Sequence, residues 1–82
     1  MIHTLLHLSD FSSIGPRYNR GSDTVLFVHK GGVLVEIGGK SIMRFAGESL
    51  LIEQKQLHKI SAVEDSEILL VYENNGIVEV GG

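Results

Sequence analysis

The sequence predicts an all-β fold, an antiparallel barrel of about eight short strands. Three observations carry that expectation. No stretch of a dozen residues repeats apolar positions at intervals of three and four, the pattern of a helix buried along one side. Short apolar and β-branched runs recur along the chain instead. Glycine, asparagine, aspartate and serine cluster between these runs, where the chain must reverse.

Taken in order, residues 2–8 read as an opening strand, too short and too poor in basic charge for a secretory signal. Residues 9–23 carry Ser12-Ser13, Gly15-Pro16 and Gly21-Ser22 and form the longest irregular piece. A loop of that length in so small a domain is either functional or poorly ordered. Strands follow over 24–30, 33–37, 41–45, 49–53, 57–63, 67–73 and 77–80. Gly31-Gly32 is a hairpin turn or a bulge that bends one long strand. Gly38-Gly39 is a two-residue hairpin turn, since both positions take positive φ at little cost. Residues 54–56, 64–66 and 74–76 close the remaining reversals.

Composition narrows the function classes. Eighty-two residues make one domain, 1–82, with no repeat and no low-complexity tract. With 43% hydrophobic and 21% charged residues the chain is neither disordered nor membrane-like. No apolar run approaches the ~18 residues of a membrane span. The net charge of -3, with both signs interspersed, offers no basic stripe for nucleic acid. Tryptophan is absent and the few aromatic residues are scattered, so there is no stacking platform for single strands. Without cysteine there is no disulfide, thiolate metal site or thiol nucleophile. A disulfide-free domain this small points to the cytoplasm.

Two strands are apolar on both faces. In residues 24–30, Leu26 and Val28 oppose Val25 and Phe27; in 67–73, Ile68, Leu70 and Tyr72 oppose Leu69 and Val71. Such strands need cover on both sides. One face fills a barrel, so Val25, Phe27, Leu69 and Val71 are expected to pair two copies as a homodimer. The other possible cover is the 9–23 loop or the amino-terminal strand.

Residues 47–58 carry the chain's most informative pattern: a glycine turn, a short apolar strand, a polar hairpin and His58 opening the next strand. Gly47, Ile52, Gln54, Leu57 and His58 fall at the spacing of the second motif of the cupins, small jelly-roll barrels. Glu53 stands where that motif has proline, and Lys55 where it has its second glycine. Residues 24–31 resemble the end of the first motif. The resemblance covers residues 18–72 and implies a cupin-like jelly roll with His58 facing the interior. It further implies a metal bound by two histidines and a glutamate from the first motif. Here those slots fall on Tyr18, Arg20 and Thr24, or on Arg17 and Asn19 for the histidines if the spacer is one residue longer. None is a good ligand, and a divalent site needs three or four converging donors. His29 lies on the strand face opposite Thr24, and nothing in the spacing requires His3 and His7 to join His58. No metal and no other cofactor is expected.

Alternation turns Thr24, Leu26, Val28, Leu50, Ile52, His58, Ile60, Ile68, Leu70 and Tyr72 inward, making an aliphatic interior with three polar exceptions. A buried His58 needs a partner, either a backbone carbonyl or the Tyr72 hydroxyl. Beside it, Arg20 or Arg17 at the mouth supplies a guanidinium that binds a carboxylate or phosphate through paired hydrogen bonds. The candidate ligand-binding set is therefore His58, Arg20, Thr24 and Tyr72, with the aliphatic interior holding the apolar part of a small organic acid. No carboxylate pair, nucleophile elbow or phosphate loop is present. The expected function is a small metal-independent binding or accessory module. The alternatives are a metal-dependent cupin dioxygenase or isomerase with an atypical site, and a structural dimer with no ligand.

Overall fold

Nine strands and no helix occupy residues 1–81, the span described by this computed structural model. Eight of them fall on the apolar runs: β1 (Ile2–Leu8), β3 (Thr24–Lys30), β4 (Gly32–Ile37), β5 (Lys40–Phe45), β6 (Ser49–Ile52), β7 (His58–Ala62), β8 (Ser66–Tyr72) and β9 (Ile77–Glu79). The ninth, β2 (Ser13–Asn19), lies inside the segment expected to be irregular. Its composition conceals it. Gly15-Pro16 splits the strand, and proline has no N–H to give to a ladder. The chain absorbs the pair as a bulge, the register against β7 shifting between Ile14 and Arg17.

The strands form two antiparallel sheets, the first in the order β1-β8-β3-β6 and the second β5-β4-β7-β2-β9. Their inner faces meet in one core. Leu26, Val28, Ile68 and Leu70 come from the first sheet; Val33, Val35, Ile60 and Ala62 come from the second, all buried. Alternation along each strand puts the intervening residues outside. No helix of the described residues is long and apolar enough to cross a membrane.

Gly31 makes no hairpin; it bends the chain just past a register shift between Val28 and Lys30. It is the corner at which the chain leaves the first sheet after Lys30 and enters the second at Gly32. Ser66, 1% exposed, fastens that corner. Its hydroxyl accepts the Gly32 N–H at 3.0 Å and donates to one of two carbonyls, Gly32 at 3.0 Å or Glu64 at 2.7 Å. The Gly38-Gly39 turn joins β4 to β5 as its composition predicts.

The outer face of the first sheet carries two apolar rows. Leu5, Leu69 and Phe27 share one level, and Val71, Val25 and Leu51 the next. Neither candidate cover lies over them. β1 extends the sheet at its edge, and residues 13–19 join the opposite sheet.

Candidate functional site

His58 is the first residue of β7, and the strand's alternation turns it inward with Ile60 and Ala62, leaving it 6% exposed. The turn before it, expected as a hairpin, instead crosses from β6 in the first sheet to β7 in the second, and it fixes the ring. Lys55, in the slot where the cupin motif has glycine, takes φ +67. Its N–H donates to the Asn19 carbonyl at 2.8 Å. The Gln56 carbonyl then lies 3.1 Å from His58 Nδ1. A carbonyl only accepts, so Nδ1 carries the proton and the neutral ring keeps a free lone pair on Nε2. Burial pushes the His58 pKa below its ordinary 6.5, and nearby Arg17 adds to the depression; the Gln56 bond and Glu79 oppose it.

Arg17 reaches the site by way of the β2 bulge. It pairs across from His58 on β7 and from Glu79 on β9. Gly15 makes this approach possible: a side chain there would meet the His58 carbonyl at 2.7 Å, and the residue sits at φ +98. The Arg17 side chain is 14% exposed, and its Nη1 lies 3.5 Å from Oε1 of Glu79, itself 66% exposed.

Thr24 and Tyr72 are buried and line the same recess as His58 and Arg17. The Tyr72 hydroxyl lies 3.2 Å from Thr4 Oγ1, so the partner of His58 is the backbone carbonyl. Arg20 is not at the mouth. It is exposed just after β2, where its N–H donates to Gly76 at 2.9 Å and its carbonyl accepts from Gln54 Nε2 at 2.6 Å. The guanidinium beside His58 belongs to Arg17. Asn19 in the recess is occupied structurally. Its Nδ2 donates to the Asn74 carbonyl at 2.9 Å, and its Oδ1 accepts the N–H groups of Gly21 and Gly76 at 2.8 and 3.1 Å.

The free space inside is small. The recess between Arg17, Thr24, His58 and Tyr72 measures about 10 Å³, enough for one water. The aliphatic interior is thus packed, and it has no room for the apolar part of an organic acid. A space of ligand size lies on the other side of His58. This open groove of about 410 Å³ runs along the Gly38-Gly39 turn, walled by Pro16, Leu57, Lys40 and Lys59.

The residues do not fit the metal that the cupin motifs imply. Tyr18, Asn19 and Thr24 line the recess with His58, but they bring a phenol, an amide and a hydroxyl, and Arg17 adds a positive charge. The other histidines lie on the outer face of the first sheet. There His7 Nε2 is 3.2 Å from Asp65 and His29 Nδ1 is 3.3 Å from Glu67. Among the described residues no three histidine or acidic side chains converge on a metal position.

No protein-family model matches the chain, and no curated protein matches it. Solved structures do. A conserved protein of unknown function from Streptococcus pyogenes superposes with a TM-score of 0.79 at 23% identity, over 85% of this chain and 60% of that one. A cupin superfamily protein from Desulfitobacterium hafniense gives 0.78 at 15% identity, over 96% of this chain and 66% of its own. An oxalate oxidase gives 0.86 at 23% identity, over 95% of this chain and 45% of the enzyme. The chain therefore has the cupin jelly-roll fold, and it spans between 45% and 66% of the length of these three proteins.

Proposed function

We propose that the protein is a small metal-independent binding or accessory module that takes a small organic anion at the barrel mouth beside His58. One observation carries this reading: the mostly buried Arg17 guanidinium stands against His58, held by a single, largely exposed carboxylate at 3.5 Å. A planar guanidinium with donors to spare binds a carboxylate in bidentate fashion. The recess admits one water and no more, so the anionic group meets Arg17 and His58 at its rim and the body of the ligand lies in the groove past Leu57 and Pro16. Lys40 and Lys59 on the groove wall outnumber Glu36 there, leaving one net positive charge. His58 contributes the Nε2 lone pair, which accepts a hydrogen bond from a ligand hydroxyl.

The test is a melting screen of the untagged protein against acetate, glycolate, oxalate, malonate, benzoate and inorganic phosphate. At a hundredfold excess over Kd the expected rise in Tm is on the order of 10 °C. Arg17→Met abolishes that rise while the protein remains folded by circular dichroism. A screen with no response at millimolar probe, or a response that Arg17→Met leaves intact, ends this reading. Elemental analysis runs alongside. Stoichiometric iron, zinc, nickel or manganese in the purified protein would replace this proposal with the metal-dependent dioxygenase or isomerase alternative.

A further inference from the structure

One row of residues crosses the second sheet at its mouth end. Lys40 stands across from Ile37, Ile37 from His58, His58 from Arg17 and Arg17 from Glu79, one residue from each strand of that sheet. Arg17 and Lys40 are the cations of the row. The groove runs from Lys40 past Ile37 and His58 to Pro16, the neighbour of Arg17.

The lysines beside the groove are not equivalent. Among the described residues, His7, Arg17 and His29 make the ion pairs to carboxylates, and neither Lys40 nor Lys59 takes part. Lys59 nevertheless faces Glu36 directly across the pairing of β4 with β7, which offsets its charge. Lys40 faces an isoleucine, so the net positive charge of the groove falls to it. The turn before Lys40 leaves this pole open: a side chain at Gly39 would meet nothing within 4 Å.

We propose that the ligand is a linear dianion, with one carboxylate on Arg17, an aliphatic spacer along Ile37 and Leu57, and a second carboxylate on Lys40. This occupant rests on the carboxylate site at Arg17 and adds the far pole that selects among acids. The wall supports the spacer. Ile37 is 8% exposed and Leu57 49%, and methylene groups laid against them lose contact with water. The sheet sets the length. Three strand spacings of ~4.8 Å put the Cα atoms of Arg17 and Lys40 about 14 Å apart. Carboxylates seated at the side-chain tips inside that span lie on the order of 10 Å apart. An extended chain advances about 1.2 Å per bond, so a saturated diacid of about nine carbons bridges the poles. The groove, about 410 Å³, has room for it.

Titration of the isotope-labelled full chain at low ionic strength, followed by backbone amide shifts, tests this. The probes are saturated diacids from pentanedioate to dodecanedioate, each paired with the monoacid of equal carbon number. One further exposed ion pair is expected to make nonanedioate about fivefold tighter than nonanoate. Pentanedioate, too short to bridge, is expected to bind no better than pentanoate. Lys40→Met is expected to erase the nonanedioate advantage. Lys30→Met, at the end of β3 away from Thr24 and the mouth, is expected to keep it. Lys40→Glu is expected to invert the order at the far pole, so that ω-aminononanoate binds more tightly than nonanedioate. Equal affinities for nonanedioate and nonanoate overturn the proposal and leave the Arg17 site standing. So does an advantage that is the same at every chain length, that survives Lys40→Met, or that Lys40→Glu fails to invert. If none of these acids binds, the proposal falls together with the Arg17 site.

Discussion

β7 and β8 lie in opposite sheets, and each turns one polar side chain, His58 or Ser66, and then an apolar row inward, yet they show water different things. β8 places Glu67, Leu69 and Val71 outside, whereas β7 places Lys59 and Ser61 there. The neighbours follow suit. β3 adds Val25 and Phe27 to the outer face of the first sheet, while β4 adds Leu34 and Glu36 to the second. The inner rows make the two sheets equivalent halves of one core. The outer rows differ: on the first sheet six apolar side chains lie in two rows that end in Ser49 and His3, while on the second Leu34, Met43 and Phe45 are mixed with Glu36, Lys59 and Ser61 beside the groove and the mouth residues. Inner alternation specifies the fold, and outer alternation specifies what the fold meets.

The equivalence of the inner rows is the claim most easily broken. Leu26→Ala in the first sheet and Ile60→Ala in the second each remove a fully buried side chain. Each is expected to cost about 2–5 kcal/mol, a large part of the stability of a domain this size. Urea midpoints at equal m-values measure it. A cost confined to one sheet would mean that the core is not shared.

Next in size is the corner that joins the sheets. Ser66→Ala deletes the hydroxyl that accepts the buried Gly32 N–H, and no other partner is positioned for that donor. The expected loss is about 1–3 kcal/mol by urea unfolding. A loss within experimental error would leave Gly31-Gly32 as a corner held by packing alone.

That corner also marks where the sequence stops being readable. Eight strands are legible because apolar alternation and glycine punctuation are local signals, and His58 is legible because its distance from Gly47 is preserved. β2 is not, since Ser13, Gly15, Pro16 and Asn19 are loop-forming types and only their partners on β7 and β9 make them a strand. The error passes into the site. The bulge at Gly15-Pro16 sets which arginine arrives beside His58, and a shift of register there is invisible in composition. Arg17 therefore stands where the sequence alone makes Arg20 equally eligible. The filled interior was equally hidden, because free space depends on how the two sheets approach each other, not on either one's pattern.

A smaller effect resides in the turn that carries the chain from β6 in the first sheet to β7 in the second. Lys55 sits at φ +67, a conformation that costs a side-chain-bearing residue about 1–2 kcal/mol. Glycine there relieves the strain but adds unfolded-state entropy worth about 0.5–1 kcal/mol. Lys55→Gly is expected to stabilise by up to ~1 kcal/mol, read as a higher urea midpoint. Destabilisation would show that the Lys55 side chain makes a contribution beyond its backbone position.

The smallest predicted effect isolates the one inward histidine. Burial lowers the folded-state pKa of His58 below 6.5, so the unfolded chain takes up the proton first as pH falls. Stability from this group is whole above pH 6.5. It declines between that value and the lowered folded pKa, then levels off once both states are protonated. Wild type is therefore expected to lose Tm more steeply than His58→Met as pH is taken from 7.5 to 5, at constant ionic strength and without added carboxylate. Methionine keeps the inward position apolar and cannot titrate, so the difference between the two curves reports this imidazole alone. Curves that run parallel would mean that the second sheet's mouth is open enough to hydrate the ring. The reverse divergence would mean that a carboxylate, Glu79 foremost, outweighs burial and Arg17 in solution.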